Sequence, residues 1–276
     1  MSQAHAVTFG DDGSEHADRA WLWTNNQRWP GWRLDVIAAH VPPLGPPVGE
    51  ERATPHPWAP PSPRRVFAEA GFAEVRFLEA EADPRIVLDR PGSGLVVIGH
   101  KGTGALKALR LGSTAEYLLR HSLTSVAIVR SSATVRRVLV AVDGSSHGQR
   151  TVEALAAMPW FDQLEKVEVL GVPTVGLHHD TDEIRAVIEC AVDTLAASGI
   201  EAGGVEAAGH KVSTIVDHAQ VLRADLVALG TRGPGGLKRL LSGSAASTVA
   251  RATPCTVLIA SAIDEQTDAA EQPAGR

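Results

Sequence analysis

The chain has 276 residues, of which 44% are hydrophobic and 21% charged, and its formal net charge is −6. This length and composition suit two domains, each large enough to bury a core of its own. An acidic chain lacks the basic surface through which proteins bind DNA or anionic membranes. We therefore expect no nucleic-acid partner and no membrane partner.

The compartment can be inferred from the N-terminus and the cysteines. The first residues lack the basic start and apolar run of a signal peptide. No apolar run reaches the roughly 18 residues that would span a bilayer. The two cysteines, Cys190 and Cys255, are too few for a disulfide framework, and we expect both to be reduced and packed in the core. These features predict a cytoplasmic protein.

The first part of the chain alternates short apolar runs with helical patterns. Five strands are predicted, at residues 7–9, Leu34–Ala39, Val75–Leu78, Leu95–Ile98 and Val126–Val129. Four tryptophans bracket the first helix, and we expect them in the core or in an interface: Trp21, Trp23, Trp29 and Trp32.

One segment of this first part interrupts the alternation. Residues 42–63 hold nine of the 17 prolines of the chain, which favours a long loop where a helix would otherwise stand.

The second part of the chain follows the same order with more regular helices. Strands are predicted at Arg137–Val142, Val167–Val172, 203–208, Leu226–Leu229 and Thr256–Ala260. Ser145 is placed to cap the helix that follows the first of these strands. Further helices are predicted at 182–198 and 212–223 and from Ser244 onward. Such alternation implies parallel strands with helices on both faces of the sheet.

Landmarks in the two parts recur at a constant spacing of 131 positions. Asp12-Gly13-Ser14 recurs as Asp143-Gly144-Ser145, and Gly99, Gly102 and Gly112 recur as Gly230, Gly233 and Gly243. Duplication explains this regularity. We therefore predict an α/β protein with two tandem open parallel five-stranded sheets, at residues 1–130 (the first half) and 136–262 (the second half). The polar residues 263–276 are predicted to form a disordered tail.

The informative polar and glycine residues follow the first and fourth predicted strands of each half. In open α/β sheets this is the edge where ligands bind. Glycines allow the backbone to approach an anion, and the N-terminus of a helix offers unpaired N–H groups. These residues are Asp12, Gly99, Gly102, Gly112 and Ser113 in the first half, and Asp143, Gly230, Arg232, Gly233, Gly243 and Ser244 in the second. The pattern predicts a phosphate cradle in each half.

The spacing Gly-x2-Gly-x9-Gly-Ser, present twice behind Asp-Gly-Ser, resembles the ATP-binding signature of the universal stress protein family. The resemblance implies strand order 3-2-1-4-5 and ATP at the ends of the first and fourth strands. It implies that Asp12 and Asp143 face the nucleoside, that the backbones of Val41 and Val172 meet the adenine, and that the glycines and serines hold ribose and phosphates. The sequence departs from the family at Ala115 and Ala246, where members that bind ATP often have a hydroxyl residue.

Three functions are compatible with these features. The first is an ATP-binding regulatory protein of the stress response, with Mg²⁺ as a candidate companion of the nucleotide. The second is a slow ATPase or a phosphoryl- or adenylyl-transferase, although no spacing of polar residues indicates a catalytic nucleophile or a metal site. The third is an interaction module without ligand. On the first reading we expect a protein that is not an enzyme, with slow hydrolysis left open.

The resemblance also predicts how the halves associate. Members with one domain commonly pair along the fifth strand, and an apolar edge strand needs covering. We therefore expect an internal pseudo-dimer in which Val126–Val129 contacts 257–259, and a homodimer of the whole chain is a further candidate assembly.

Overall fold

The computed structural model describes residues 5–39, 66–90, 92–102, 110–173, 181–230 and 245–260. In the first half these form β1 (Ala6–Asp11), α1 (Glu15–Asn26), β2 (Arg33–Ala39), β3 (Glu74–Ala80), α2 (Pro84–Val87), β4 (Leu95–Gly99), α3 (Ser113–His121) and β5 (Val126–Val129). In the second half they form β6 (Arg137–Val142), α4 (Ser146–Ala156), β7 (Lys166–Gly171), α5 (Thr181–Ala197), β8 (Ala202–Glu206), α6 (Lys211–Leu222), β9 (Leu226–Gly230), α7 (Ala245–Ala252) and β10 (Thr256–Ala260). The predicted Pro-rich loop and the tail lie outside the described residues.

All the strands belong to one sheet, whose order is β3-β2-β1-β4-β5-β10-β9-β6-β7-β8. Each half therefore has the predicted order 3-2-1-4-5, and its strands are parallel. At the centre β5 and β10 pair antiparallel, with Val257 opposite Ile128 and Ile259 opposite Val126. The predicted pairing through the fifth strands is confirmed, and it makes the two five-stranded sheets continuous because each covers the other's apolar edge.

Helices cover both faces of this sheet, as the alternation predicted. On one face α1, α4 and α5 pack on strand residues such as Phe9 and Val140. The other face is covered by α2, α3, α6 and α7, together with residues that flank them. They pack on the strand side chains that point to that face, such as Ile98 and Leu139. Because successive side chains of a strand point to opposite faces, strands that are apolar throughout can serve both layers.

The spacing of 131 positions holds for β1 and β4 but fails for β2. Val7 in β1 pairs with Leu34, whereas Val138, its repeat in β6, pairs with Val167. The connection to the second strand is thus two residues shorter in the first half. By register Gly171 corresponds to Ala38, so the strand register does not reproduce the spacing of 131 positions that relates Val41 to Val172. Val41 itself lies outside the described residues.

Tryptophans join the two halves on the face covered by α1 and α4. Trp23 and Trp29 are buried and lie with ring centroids 6.5 and 6.3 Å from that of Trp160, which belongs to the second half. The buried Gln27 side chain accepts a hydrogen bond from Val135 N (3.0 Å) and donates one to Trp23 O (3.0 Å). The expected packing role of the tryptophans is confirmed, and it lies partly between the halves.

The two cysteines have different surroundings. Cys255 is buried, and this burial raises its pKa to about 12. Cys190 is exposed on α5, between the buried Ile188 and Ala191, so its expected place in the core is wrong. Helical periodicity turns residue 190 away from the sheet. Among the described residues, no helix combines the length and apolarity that a membrane crossing requires.

Candidate functional site

The Asp-Gly-Ser turns after β1 and β6 are built alike. Gly13 and Gly144 have φ of 71° and 75°, a conformation that glycine adopts without strain. The serine that follows caps the next helix: Ser14 Oγ accepts from Ala17 N (3.1 Å) and Ser145 Oγ from Gly148 N (3.2 Å). The capping predicted for Ser145 is confirmed, and each aspartate is fixed where a strand ends and a helix begins.

In the first half the Asp12 carboxylate lies directly against Gly102. A Cβ at residue 102 would collide with Asp12 Oδ2. Asp12 Oδ1 also accepts a hydrogen bond from Ser14 N (3.1 Å). The fold thus brings a carboxylate after β1 into contact with the glycine turn after β4, two sequence features 90 positions apart.

Gly112 closes the base of the same loop. A Cβ there would lie 3.2 Å from Lys101 Cα and 3.3 Å from Gly102 N, and Gly112 N donates to His100 O (2.8 Å). Gly112 is also the N-cap of α3, so no capping side chain covers the first N–H groups of this helix. Ser113, the first residue of α3, is exposed beside them. The arrangement suits an anionic ligand at the start of α3.

Gly99 and Gly230 have a packing role that the sequence did not indicate. A Cβ at residue 99 would lie 2.7 Å from the carbonyl of His16 in α1. A Cβ at residue 230 would lie 2.7 Å from the carbonyl oxygen of His147 in α4. Both glycines let the first turn of a helix cross the end of the neighbouring strand, which in the first half brings the Asp-Gly-Ser turn close to Gly102.

A pair of histidines stands behind the glycine loop of the first half. The rings of His16 and His100 meet edge to face, with centroids 4.3 Å apart. His100 is buried, and its Nδ1 has no hydrogen-bond partner among the described residues. Burial, with the nearby charge of Arg130, lowers the pKa of His100 to about 4, so the ring is neutral at pH 7. Sequence reasoning missed this pair because its members are 84 positions apart.

In the second half a lysine binds the aspartate. Asp143 Oδ1 accepts hydrogen bonds from Ser145 N (3.1 Å) and Ser145 Oγ (2.5 Å). Asp143 Oδ2 accepts one from Nζ of Lys211, the first residue of α6, at 3.0 Å. Both side chains are largely buried, with 26% of Lys211 and 16% of Asp143 exposed. Sequence reasoning did not single out Lys211, because no motif marks it.

The other predicted residues fall into two groups. Val172 is buried directly after β7, and Gly230 ends β9, so both lie at the edge of the sheet where Asp143 lies. The structure does not describe the remaining five, which are Val41, Arg232, Gly233, Gly243 and Ser244. Within the described part of the chain, no group of three histidine, cysteine or acidic side chains could hold a metal ion.

Comparison with known proteins agrees with this fold. The sequence model of the Universal stress protein family matches residues 72–130 and 134–261. The chain belongs to this family. Because the matches fall in both halves, it carries two universal stress protein domains in tandem.

Individual relatives match either nearly the whole chain or about half of it. The universal stress protein Rv2005c of Mycobacterium tuberculosis is 27% identical over 299 aligned residues, covering 93% of this chain and 97% of the relative. The universal stress protein YxiE of Bacillus subtilis is 28% identical over 143 residues, which are 45% of this chain and 97% of that protein. A crystal structure of a universal stress protein from Archaeoglobus fulgidus has a TM-score of 0.67 at 18% identity, covering 94% of this chain and 99% of that one. It supports the tandem fold.

Proposed function

We propose that this protein is an ATP-binding regulatory protein of the stress response, with nucleotide held at the ends of the first and fourth strands of each half. The contact between Asp12 and the Gly102 turn carries this proposal. It places an acceptor for ribose hydroxyls beside a backbone that can bind phosphate. Family membership and the repeated Gly-x2-Gly-x9-Gly-Ser spacing support it further.

Each part of the nucleotide has a candidate partner in the first site. The Asp12 carboxylate would accept hydrogen bonds from the ribose. Gly102, Gly112 and the first N–H groups of α3 would bind the phosphates, with the Ser113 hydroxyl as a further donor. Mg²⁺ would enter with ATP, bound mainly through phosphate oxygens and water. In the second half Val172 would offer its backbone to the adenine.

We propose further that ATP acts as a signal and not as a rapidly consumed substrate. His100 follows Gly99 in the glycine loop, and its pKa of about 4 makes it a weak general base at neutral pH. A bound nucleotide would then bias the conformation or the partners of the protein. A cytoplasmic location and a homodimer of the whole chain complete the proposal, without a nucleic-acid or membrane partner.

The first test is to identify what the purified protein carries. Denaturing it and separating the released small molecules should yield an adenine nucleotide, with ATP favoured. A second measurement is calorimetric titration with ATP, in which two binding events are expected. A protein that releases no nucleotide and shows no heat with ATP would overturn the proposal in favour of a ligand-free interaction module.

A variant pair links binding to the described geometry. Gly102→Ala places a Cβ on the Asp12 carboxylate and should weaken ATP binding at the first site about tenfold or more, since the two groups can no longer approach. Gly203→Ala is the control, because a Cβ there meets nothing within 4 Å. Single-turnover measurement with labelled ATP separates the regulatory from the catalytic reading: release of phosphate at rates typical of enzymes would favour the ATPase.

A further inference from the structure

A salt bridge joins the two halves beside the first site. Arg251, in the last turn of α7, donates through Nε to Glu116 Oε1 and through Nη2 to Glu116 Oε2, both at 2.7 Å. Glu116 lies in the first turn of α3. The side chains are 35% and 24% exposed, and a two-point arginine–carboxylate contact of this kind is stronger than a single surface pair.

The pseudo-symmetry of the molecule makes this bridge one-sided. The repeat of 131 positions relates Arg251 to Arg120 and Glu116 to Ser247. A symmetric contact would pair Arg120 with Ser247, but a serine has no carboxylate and cannot form a salt bridge. Arg120 lies instead 3.5 Å from Glu116 of its own helix. Within the described part of the chain, the bridge therefore stands beside the first half's α3 and has no ion-pair counterpart between Arg120 and residue 247.

Glu116 lies close to where the phosphates of a bound nucleotide would be. Its backbone N donates to Gly112 O (2.9 Å), so it stands one helical turn above Gly112 on the same face of α3. Four residues rise about 6 Å along a helix, which is within the screening length of roughly 8 Å at physiological salt. An uncompensated carboxylate here would repel an anionic ligand and compete with it for the positive end of the helix.

A second arginine holds α7 against the same loop. Arg130, which follows β5, donates through Nη2 to Ala250 O in α7 (2.7 Å) and to Arg110 O (3.1 Å). Arg110 stands two residues before Gly112. The end of α7 is thus fixed to the residues on both sides of Gly112, and Arg251 is held in place to reach Glu116.

From this geometry we propose that Arg251 of the second half is a positioning residue for the nucleotide site of the first half. Its guanidinium neutralises Glu116 and holds that carboxylate aside, so the first site binds polyphosphate more tightly while Arg251 contacts Glu116. The inference rests on the proposed nucleotide binding at Asp12 and Gly102. It adds that the first half alone is an incomplete site for a highly charged ligand.

The test measures binding of ATP, AMP and adenosine by calorimetry on the full chain carrying Asp143→Ala, so that the first site alone reports. Arg251→Met should weaken ATP binding about tenfold and AMP binding less, with adenosine unchanged, because the loss scales with the charge of the ligand. Arg120 can compensate part of the exposed charge, so Arg120→Met combined with Arg251→Met should cost more. Arg120→Met alone is the control, and its affinities should stay within about twofold.

Restoring variants separate this role from a structural one. Glu116→Gln added to Arg251→Met should return ATP affinity to the parent value, since no carboxylate then needs neutralising. Thermal unfolding shows whether each variant is folded. If Arg251→Met unfolds, Glu116→Gln alone replaces it and should bind ATP at least as tightly as the parent.

Other results would overturn the inference. Equal losses for ATP and adenosine would show a merely structural role. Unchanged ATP affinity in Arg251→Met and in the double arginine variant, or weaker ATP binding in Glu116→Gln, would also overturn it. A parent chain that binds none of the three ligands would refute the proposed function itself.

Discussion

The two aspartate turns have the same sequence but different neighbours in the fold. Asp143 is bound by Lys211, whose Nζ lies 3.0 Å from its carboxylate. Asp12 lies against Gly102, and the corresponding helix of its half, α2, begins with Pro84. The following residue, Arg85, donates to its own neighbour Asp83 at 2.9 Å. A shared motif therefore does not fix its neighbours, because a distant helix supplies the lysine that binds Asp143.

The difference originates in the length of one crossover. Between the third and fourth strands the second half builds α6 over 12 residues, whereas the first half builds α2 over four. The longer helix starts where Lys211 can reach across to the end of β6. Glycines at the strand ends, in contrast, pack identically in both halves.

The largest effect is expected where the halves agree. Gly99→Ala and Gly230→Ala each place a Cβ 2.7 Å from a backbone carbonyl of the crossing helix, which cannot move without shifting the helix. Each variant should lose about 1–3 kcal/mol of unfolding free energy by denaturant titration, and the two losses should be similar. Gly203→Ala, with open space around its Cβ, should change stability by less than about 0.5 kcal/mol. If one of the two substitutions leaves the free energy of unfolding unchanged, the structural equivalence of the strand ends is wrong.

A second effect, which appears only at acidic pH, concerns the histidine that only the first half carries, since residue 231 is a threonine. Burial lowers the pKa of His100 in the folded state to about 4, below the unfolded value near 6.5. The neutral ring therefore contributes stability that is fully present above pH 6.5 and is lost as the pH falls towards 4.

Stability should decline by about 1–3 kcal/mol across this window, and His100→Asn should remove most of that slope. Chemical unfolding measured at several pH values checks the slope. His121→Asn, at an exposed position at the end of α3, is the matched control. A slope that persists in His100→Asn would place its origin in other titrating groups, such as His16, whose pKa burial also lowers.

The smallest effect is expected at Lys211. Lys211→Met frees Asp143 Oδ2 for a ribose hydroxyl, so adenosine should bind the second site a few-fold more tightly, a change of about 1 kcal/mol or less. Calorimetry on chains carrying Asp12→Ala isolates this site. Arg185→Met is a suitable control, because Arg185 pairs with Glu206 on the same half at 3.1 Å. Weaker adenosine binding in Lys211→Met would mean that the lysine itself contacts the nucleoside. Lys211 would then be part of the second site and not a competitor for Asp143.

The sequence by itself determined the repeat, the α/β alternation and most element bounds. The strand at Thr256–Ala260 and the cap at Ser145 are as predicted, because apolar runs and capping residues act through neighbours in the chain. The family resemblance added the strand order and the junction between β5 and β10. Periodicity alone could not do so, since many orders satisfy the same alternation.

Only the tertiary structure decided which charges and rings meet. The pairs Asp143 with Lys211, Glu116 with Arg251 and His16 with His100 are separated by 68, 135 and 84 positions. Their contacts depend on crossover lengths and on how the halves dock, neither of which leaves a local pattern. The two-residue shift of β2 shows the same limit. The motifs keep a constant spacing of 131 positions in the sequence. The connections from β1 to β2 and from β6 to β7 differ in length, so β2 and β7 do not follow that spacing.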